Sequence, residues 1–286
     1  MIPAQASRTA LRVALRRAAH QTVDAKPLVF EDRFAVAILG AEAQAELQRT
    51  PPADRRPFSA ALRAWVVARA RFAEDVLAAA VAEENARQYL VLGAGLDTFA
   101  LRNPYPELQV FEVDHPATQA WKKDRLLSAG LTLPSNAWFV PVDFERQSLR
   151  EQLESAGFDP TKPTVTAWLG VVPYLSAEAF AATSRFLGDL PPGSSVIFDY
   201  GQPREALSLV EQQMHDSLAA RVAQAGEPFQ LFFTPEALCG ELLRCGLEVV
   251  EDLGRDELNE RFFKHRADGL QILGSAGRLC RARVQA

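Results

Sequence analysis

The stretch QYLVLGAGLDTF at residues 88–99 places an apolar run before Gly93, Gly95, Asp97 and Thr98. Glycines at such a bend let the backbone turn sharply and approach a ligand with no Cβ in the way. A dinucleotide site would want a third glycine at position 98, for close helix packing and a pyrophosphate on the helix N-terminus. Thr98 stands there instead, and Asp97 would repel a pyrophosphate while attracting an ammonium. The turn favours a cofactor without phosphates.

Two further acids follow in order. Asp114, in FEVDHP, comes roughly 20 positions after Gly93, the spacing at which a carboxylate accepts both hydroxyls of a ribose. Glu112 shares its face by strand period, but Asp114 is the acid at the strand end. Asp143, in VPVDFE, ends the next apolar run, where an adenine edge would lie. A cation completes the set. On the helical pattern from Pro57 to Asn85, Leu62, Trp65, Val66, Ala73, Val76, Leu77 and Ala80 form an apolar stripe. At about 100° per residue Arg69 falls in the middle of that stripe and Arg71 opposite it. A guanidinium left unpaired in an apolar setting costs several kcal/mol, so Arg69 needs an anionic partner. That partner is either an internal Asp or Glu, or the carboxylate of an amino-acid-like ligand. Arg8, at the edge of its own stripe, is a weaker candidate.

These residues need strands to carry them. YLVLG (89–93), LQVFEV (108–113), AWFVPV (137–142), TVTAWLG (164–170) and SSVIFDY (194–200) alternate with helical segments. That alternation predicts a parallel sheet covered by helices on both faces. LEVVEDLG (247–254) and GRLCRARV (277–284) read as strands with no convincing helix between them, so a hairpin with one antiparallel strand is expected. Residues 1–85 read as a helical N-terminal extension to a core over 86–286. The helical stretch near 203–230 reads as a lid insertion. The whole chain, 1–286, reads as a single domain.

Composition narrows the classes. The 286 residues carry 31 Lys plus Arg against 36 Asp plus Glu, a formal charge of -5, which gives no general basic field for nucleic acid. No apolar run reaches the roughly 18 to 20 residues needed to span a bilayer. Cys239, Cys245 and Cys280 read as reduced thiols, which fits a cytoplasmic protein, and the scattered His20, His215 and His265 form no metal set. The Arg-rich N-terminus has the look of a transit segment, yet Leu11, Ala14, Leu15 and Ala18 form a stripe suited to docking on the domain, the reading favoured here.

In sequence, ASRTALRVALRRAAHQ, PLVFEDRFA, ARARFAEDVL, VLGAGLDTFALR, FEVDHPATQAWKKDRL, VDFE, WLGVVPYL and VIFDYGQP resemble the leucine carboxyl methyltransferase-like family of class I S-adenosylmethionine-dependent methyltransferases. The resemblance is closest to its bacterial polyketide-type O-methyltransferase branch. It implies a Rossmann-like α/β sheet of seven strands, one antiparallel, and S-adenosylmethionine as methyl donor. It further implies that Gly93 and Gly95 line the methionine part, Asp114 holds the ribose, Asp143 and the backbone of Phe144 meet the adenine, and Arg69 binds the cofactor carboxylate. Many relatives carry an acid in a Trp-Glu-Gly-Val pattern, where this chain has Trp168-Leu169-Gly170-Val171. If that acid binds the cofactor ammonium, the task passes here to Asp97 or to backbone carbonyls.

Methyl transfer from a sulfonium is an in-line displacement governed by positioning and exclusion of water. A carboxylate acceptor needs no base, while a phenol or alcohol must give up a proton. Asp199, Tyr200, Tyr174 and His115 follow strand ends on the ligand side and are the candidate acceptors of that proton. Phe229, Phe232 and Phe233 suit either an acceptor pocket or the core. The resulting expectation is an O-methyltransferase acting on a small-molecule hydroxyl or carboxylate. The rivals are a methyltransferase for a protein C-terminal carboxylate, a nicotinamide-dependent oxidoreductase, and a catalytically silent cofactor-binding protein.

Overall fold

The computed structural model describes residues 7–41, 44, 45, 47, 57–144, 146–224 and 226–285. The first six residues of the Arg-rich stretch, and Glu145 of VDFE, lie outside them. The apolar runs become β1 (Gln88–Leu92), β2 (Gln109–Asp114), β3 (Ala137–Pro141), β4 (Thr164–Trp168), β5 (Ser195–Gly201), β6 (Leu247–Leu253) and β7 (Gly277–Val284). They form one seven-stranded sheet in the order β3-β2-β1-β4-β5-β7-β6. β1 to β5 pair in parallel, and β7 runs antiparallel to both of its neighbours. This is the α/β, Rossmann-like class I arrangement with one antiparallel strand.

Successive strand residues face opposite sides, so the sheet carries two cores. Tyr89, Val91, Val110, Val165, Ala167 and Ile197 face α2 (Pro57–Glu83). Leu90, Leu92, Phe111, Val113, Trp168 and Phe198 face the helices that follow β4 and β5. Helices start where the sequence supplies caps: His115 ahead of Pro116 opens α3 (Pro116–Ser128), Ser148 opens α4 (Leu149–Ser155), and Ser176 opens α5 (Ala177–Gly188). α1 (Arg8–Val23) docks through Ala14 and Ala18 against Ile38, Leu39, Leu96 and Leu126, the docked-helix alternative for the N-terminal stretch.

One expectation is corrected. β6 and β7 pair as foreseen, but their connection is no simple hairpin, since it contains a helix, Arg255–Phe262. Its sequence, RDELNERF, is too polar to show an apolar stripe, and Leu258 is its buried residue. Its start is fixed by Glu257, which accepts the Gly254 N–H at 3.0 Å.

The 203–230 segment holds a short turn, Arg204–Ala206, and α6 (Leu209–Gln224). Little apolar area ties α6 down, since Val222 is its buried residue. Glu211 supplies a polar tether: it accepts from the Ser208 N–H (3.1 Å) and hydroxyl (2.6 Å) and from the Ser275 N–H (2.7 Å). The Ser208 hydroxyl and these amides outweigh burial and hold its carboxyl down from 4.5 to about 2. A depressed carboxyl contributes stability that is whole above its unfolded value and is lost as pH falls through the folded one. Hydrogen exchange across 208–224, corrected for the chemical rate, should therefore accelerate as pH drops from about 4.5 towards 2. Glu211→Gln should show the faster exchange already at neutral pH; identical exchange in both proteins would remove the tether.

Candidate active site

The strand order reverses between β1 and β4, and in open α/β sheets ligands bind beyond the carboxyl ends of the strands at that point. A cleft of about 560 Å³ opens there. Gly93, Gly95, Asp97, Asp114, His115, Asp143, Phe144, Arg69 and Tyr174 all border it. Gly93 has φ +67°, and a Cβ there would sit 2.2 Å from Val171 Cγ2. Its missing side chain thus makes room for the segment after β4, which lets β1 and β4 close together at the mouth.

Asp114 ends β2 and turns back to the glycine bend. Its Oδ2 accepts the Gly95 N–H at 2.6 Å and its Oδ1 accepts the His115 N–H at 2.7 Å. Burial raises its carboxyl above the ordinary value, against the pull of those two amides and Lys122. Asp143 is partly buried at the end of the third run, with its N–H donated to Gln147 Oε1 at 2.9 Å.

Arg69 is buried, as its stripe position requires, and its partner is internal. Nη1 donates to Asp199 Oδ2 at 2.8 Å, with both side chains 8% exposed. Arg69 borders the cleft, and Asp199 also accepts the Gly170 N–H at 2.5 Å. Arg71 faces outward and pairs with Asp75 at 2.7 Å. Asp97 accepts the Phe99 N–H at 2.7 Å and faces Arg17 Nη1 at 3.3 Å. Burial pushes its carboxyl up, but Arg17, Lys122 and Arg102 together bring it below the ordinary value.

Arg8, a candidate from sequence, is exposed and does not border the cleft. Arg17, nine residues on, is the α1 arginine that does: it is buried, pairs with Asp32 at 2.9 Å and donates to the Leu96 carbonyl. The signal was present, because Arg17 lies between Ala14 and Ala18 of the same docking stripe. Glu74 also borders the cleft and is held by Arg102.

The proton-acceptor candidates fare unequally. Tyr200 donates its hydroxyl to Asp252 at 2.8 Å, and burial together with Asp252 pushes that hydroxyl up. Asp199 is spent on Arg69 and Gly170. His115 accepts the Ala117 N–H on Nδ1 at 3.2 Å as the cap of α3. Tyr174 borders the cleft, with its hydroxyl pushed up to about 12 mainly by burial.

A second cavity of about 440 Å³ shares Thr9, Val13, Val66, Arg69, Gly170 and Tyr174 with the first. Its far wall is aromatic, with Phe58, Trp65, Phe229 and Phe232, and α6 closes one side through Met214, His215 and Leu218. Phe229 and Phe232 therefore wall a cavity, while Phe233 packs on the core. Neither Arg17 nor His215 stood out in the sequence as a site residue.

Residues 10–188 match the family model described as leucine carboxyl methyltransferase. The chain is 34% identical over 289 residues to a Bacillus subtilis (strain 168) protein provisionally named S-adenosyl-L-methionine-dependent methyltransferase YktD, covering 93% of this chain and 94% of that one. It is 35% identical over 195 residues to a Mycobacteroides abscessus (strain ATCC 19977) protein of the same provisional class, covering 68% of this chain and 64% of that one. In fold it is similar to a DUF574-family protein from Streptomyces avermitilis MA-4680, with a TM-score of 0.58 and 22% identity over the whole of both chains. With a cleft at the reversal of a seven-stranded sheet and a relative matched along nearly its full length, the chain belongs to the leucine carboxyl methyltransferase family of S-adenosylmethionine-dependent methyltransferases.

Proposed function

We propose that this enzyme methylates a hydroxyl or carboxylate oxygen of a small molecule held in the second cavity. The observation that carries this reading is the shared wall: a cavity of about 440 Å³, mostly apolar and partly roofed by α6, opens beside the cofactor cleft at Arg69, Gly170 and Tyr174. Its size and lining suit a small ligand rather than a flat protein surface.

The residues present fit S-adenosylmethionine. Asp114, fixed by Gly95, offers its carboxylate to the ribose hydroxyls. Asp143 and the backbone of Phe144 meet the adenine. Arg69 takes the carboxylate of the methionine part, since a guanidinium has five N–H donors and Asp199 engages one edge of it. The Leu169 side chain offers no acceptor to an ammonium, and the cleft-lining Asp97, kept ionised beside Arg17, or backbone carbonyls of the lining take that task. When bound, the cofactor supplies an electrophilic methyl group. The chain's own part is to orient the acceptor and exclude water, which the apolar lining of both cavities serves. With its hydroxyl at about 12, Tyr174 stays protonated near neutrality and acts as a donor that orients the acceptor oxygen.

Calorimetric titration with S-adenosylmethionine and with NAD, followed by turnover on phenols, hydroxy acids and peptides with free carboxyl termini, tests the reading. Binding of S-adenosylmethionine alone and turnover on a small acceptor are expected. Turnover restricted to peptide carboxyl termini would transfer the assignment to protein methylation.

A further inference from the structure

We propose that His215, on α6, grips a hydroxyl of the acceptor, and that the acceptor is a flat, largely apolar molecule bearing that hydroxyl. This rests on the reading of the second cavity as the acceptor site.

Both ring nitrogens of His215 are buried and have no hydrogen-bond partner among the described residues. The nearest carboxylate, Asp216, lies 3.7 Å from Nδ1, beyond hydrogen-bond reach, and is itself gripped by Arg204 at 2.9 and 3.0 Å. A buried polar group left without a partner costs about 1–3 kcal/mol, which is why such groups in native folds mark a ligand, a water or a strained site. His215 borders the cavity, so a group inside it can supply what the protein does not.

The surroundings say what that group is attached to. The imidazole sits 5.4 Å from the ring of Phe232 and 6.3 Å from that of Phe229. Phe229 in turn meets Tyr174 at 5.2 Å, where the cavity joins the cofactor cleft. An aromatic wall thus runs from α6 to the reaction end, and flat rings pack on such walls in offset or edge-on geometry.

Apart from Tyr174 at the reaction end, the charged or titratable groups around the cavity have partners within the protein or carry the wrong charge for this task. Glu211 on the same helix is spent on Ser208 and Ser275, Arg221 lies 5.5 Å over Phe58, and Tyr200 donates to Asp252. Asp199 is paired with Arg69, while Arg12 and Arg16 of α1 bring positive charge to the lining. Those arginines would select an anion. An imidazole, whose two nitrogens can between them donate and accept, selects a hydroxyl, which can answer either.

The test uses 2-naphthol and naphthalene as probes, titrated into the full-length protein saturated with S-adenosylhomocysteine. Replacing His215 by phenylalanine keeps the aromatic wall and removes the polar nitrogens. The ratio of 2-naphthol to naphthalene affinity should fall about 5- to 10-fold in His215→Phe, the worth of one neutral hydrogen bond, with naphthalene affinity retained. His215→Gln, which still offers a donor and an acceptor, should recover part of the ratio. A ratio unchanged in His215→Phe overturns the assignment. So does equal loss of both probes in the two variants, which would mark the ring as structural, or failure of both probes to bind a wild-type protein that does bind S-adenosylhomocysteine. Failure of S-adenosylhomocysteine itself to bind would instead overturn the reading of Asp114 and Arg69 on which the proposal rests.

Discussion

Replacing Asp114 with alanine is expected to weaken S-adenosylmethionine binding roughly 100-fold, about 3 kcal/mol, the scale of a charge-assisted contact to two hydroxyls. The carboxylate is already fixed, because the Gly95 N–H holds Oδ2 at 2.6 Å and the His115 N–H holds Oδ1 at 2.7 Å. Little ordering remains to be done when a ribose arrives, so the contact is lost almost in full when the carboxylate goes. Alanine also strands the buried Gly95 amide. Asp114→Asn separates the two effects, since its amide oxygen can still accept from Gly95. Burial raises the Asp114 carboxyl, so what this group adds to folding is present at low pH and falls as pH rises through the shifted value. Neutralising it should therefore not cost stability near neutrality. Calorimetric titration alongside thermal melts checks both halves: Asp114→Asn should melt no lower than wild type yet bind the cofactor far more weakly. Arg71→Ala, which removes an exposed pair with Asp75, should change binding less than about twofold. Equal losses in the Asp114 and Arg71 variants would refute the placement of the ribose.

Asp199→Asn is expected to destabilise the ligand-free protein by about 3 kcal/mol, the usual cost of leaving a buried charge without its partner. The asparagine oxygen can still accept from the Gly170 N–H, so the defect falls on Arg69. If Arg69 receives the cofactor carboxylate, that carboxylate replaces the missing anion. Binding then stabilises the variant more than the wild type, and the gap in melting temperature narrows on adding S-adenosylhomocysteine. Arg69→Leu in the same background should recover ligand-free stability and abolish the narrowing. A gap that stays constant with ligand would show that Arg69 serves only as an internal ion-pair partner.

The strand positions and the parallel run of the first five were legible because each reads as a short apolar run between helical patterns, and the last two runs, with no helical pattern between them, pointed to one antiparallel strand without saying which. Arg69 was legible for a related reason: a cation in the centre of a helical stripe conflicts with its surroundings. Its partner was not, because Asp199 is 130 positions away and no local pattern links them. On α1 the stripe was legible, but which of its arginines reaches the cleft was not: Arg17 borders it and Arg8 does not, because that depends on how the helix docks rather than on its own sequence. The helix Arg255–Phe262 escaped notice because it is held by a polar cap and one leucine rather than by an apolar face. His215 carried no signal at all: its meaning depends on Phe229 and Phe232 folding back beside it, which spacing along the chain does not encode.

Arg69 borders both chambers, and this has a thermodynamic corollary. Any shift of its guanidinium towards a guest on one side is sensed on the other. By reciprocity the acceptor must change cofactor affinity by the same factor as the cofactor changes acceptor affinity. An anionic acceptor would compete for that cation and so show antagonism, whereas a neutral one leaves it to the donor and permits synergy.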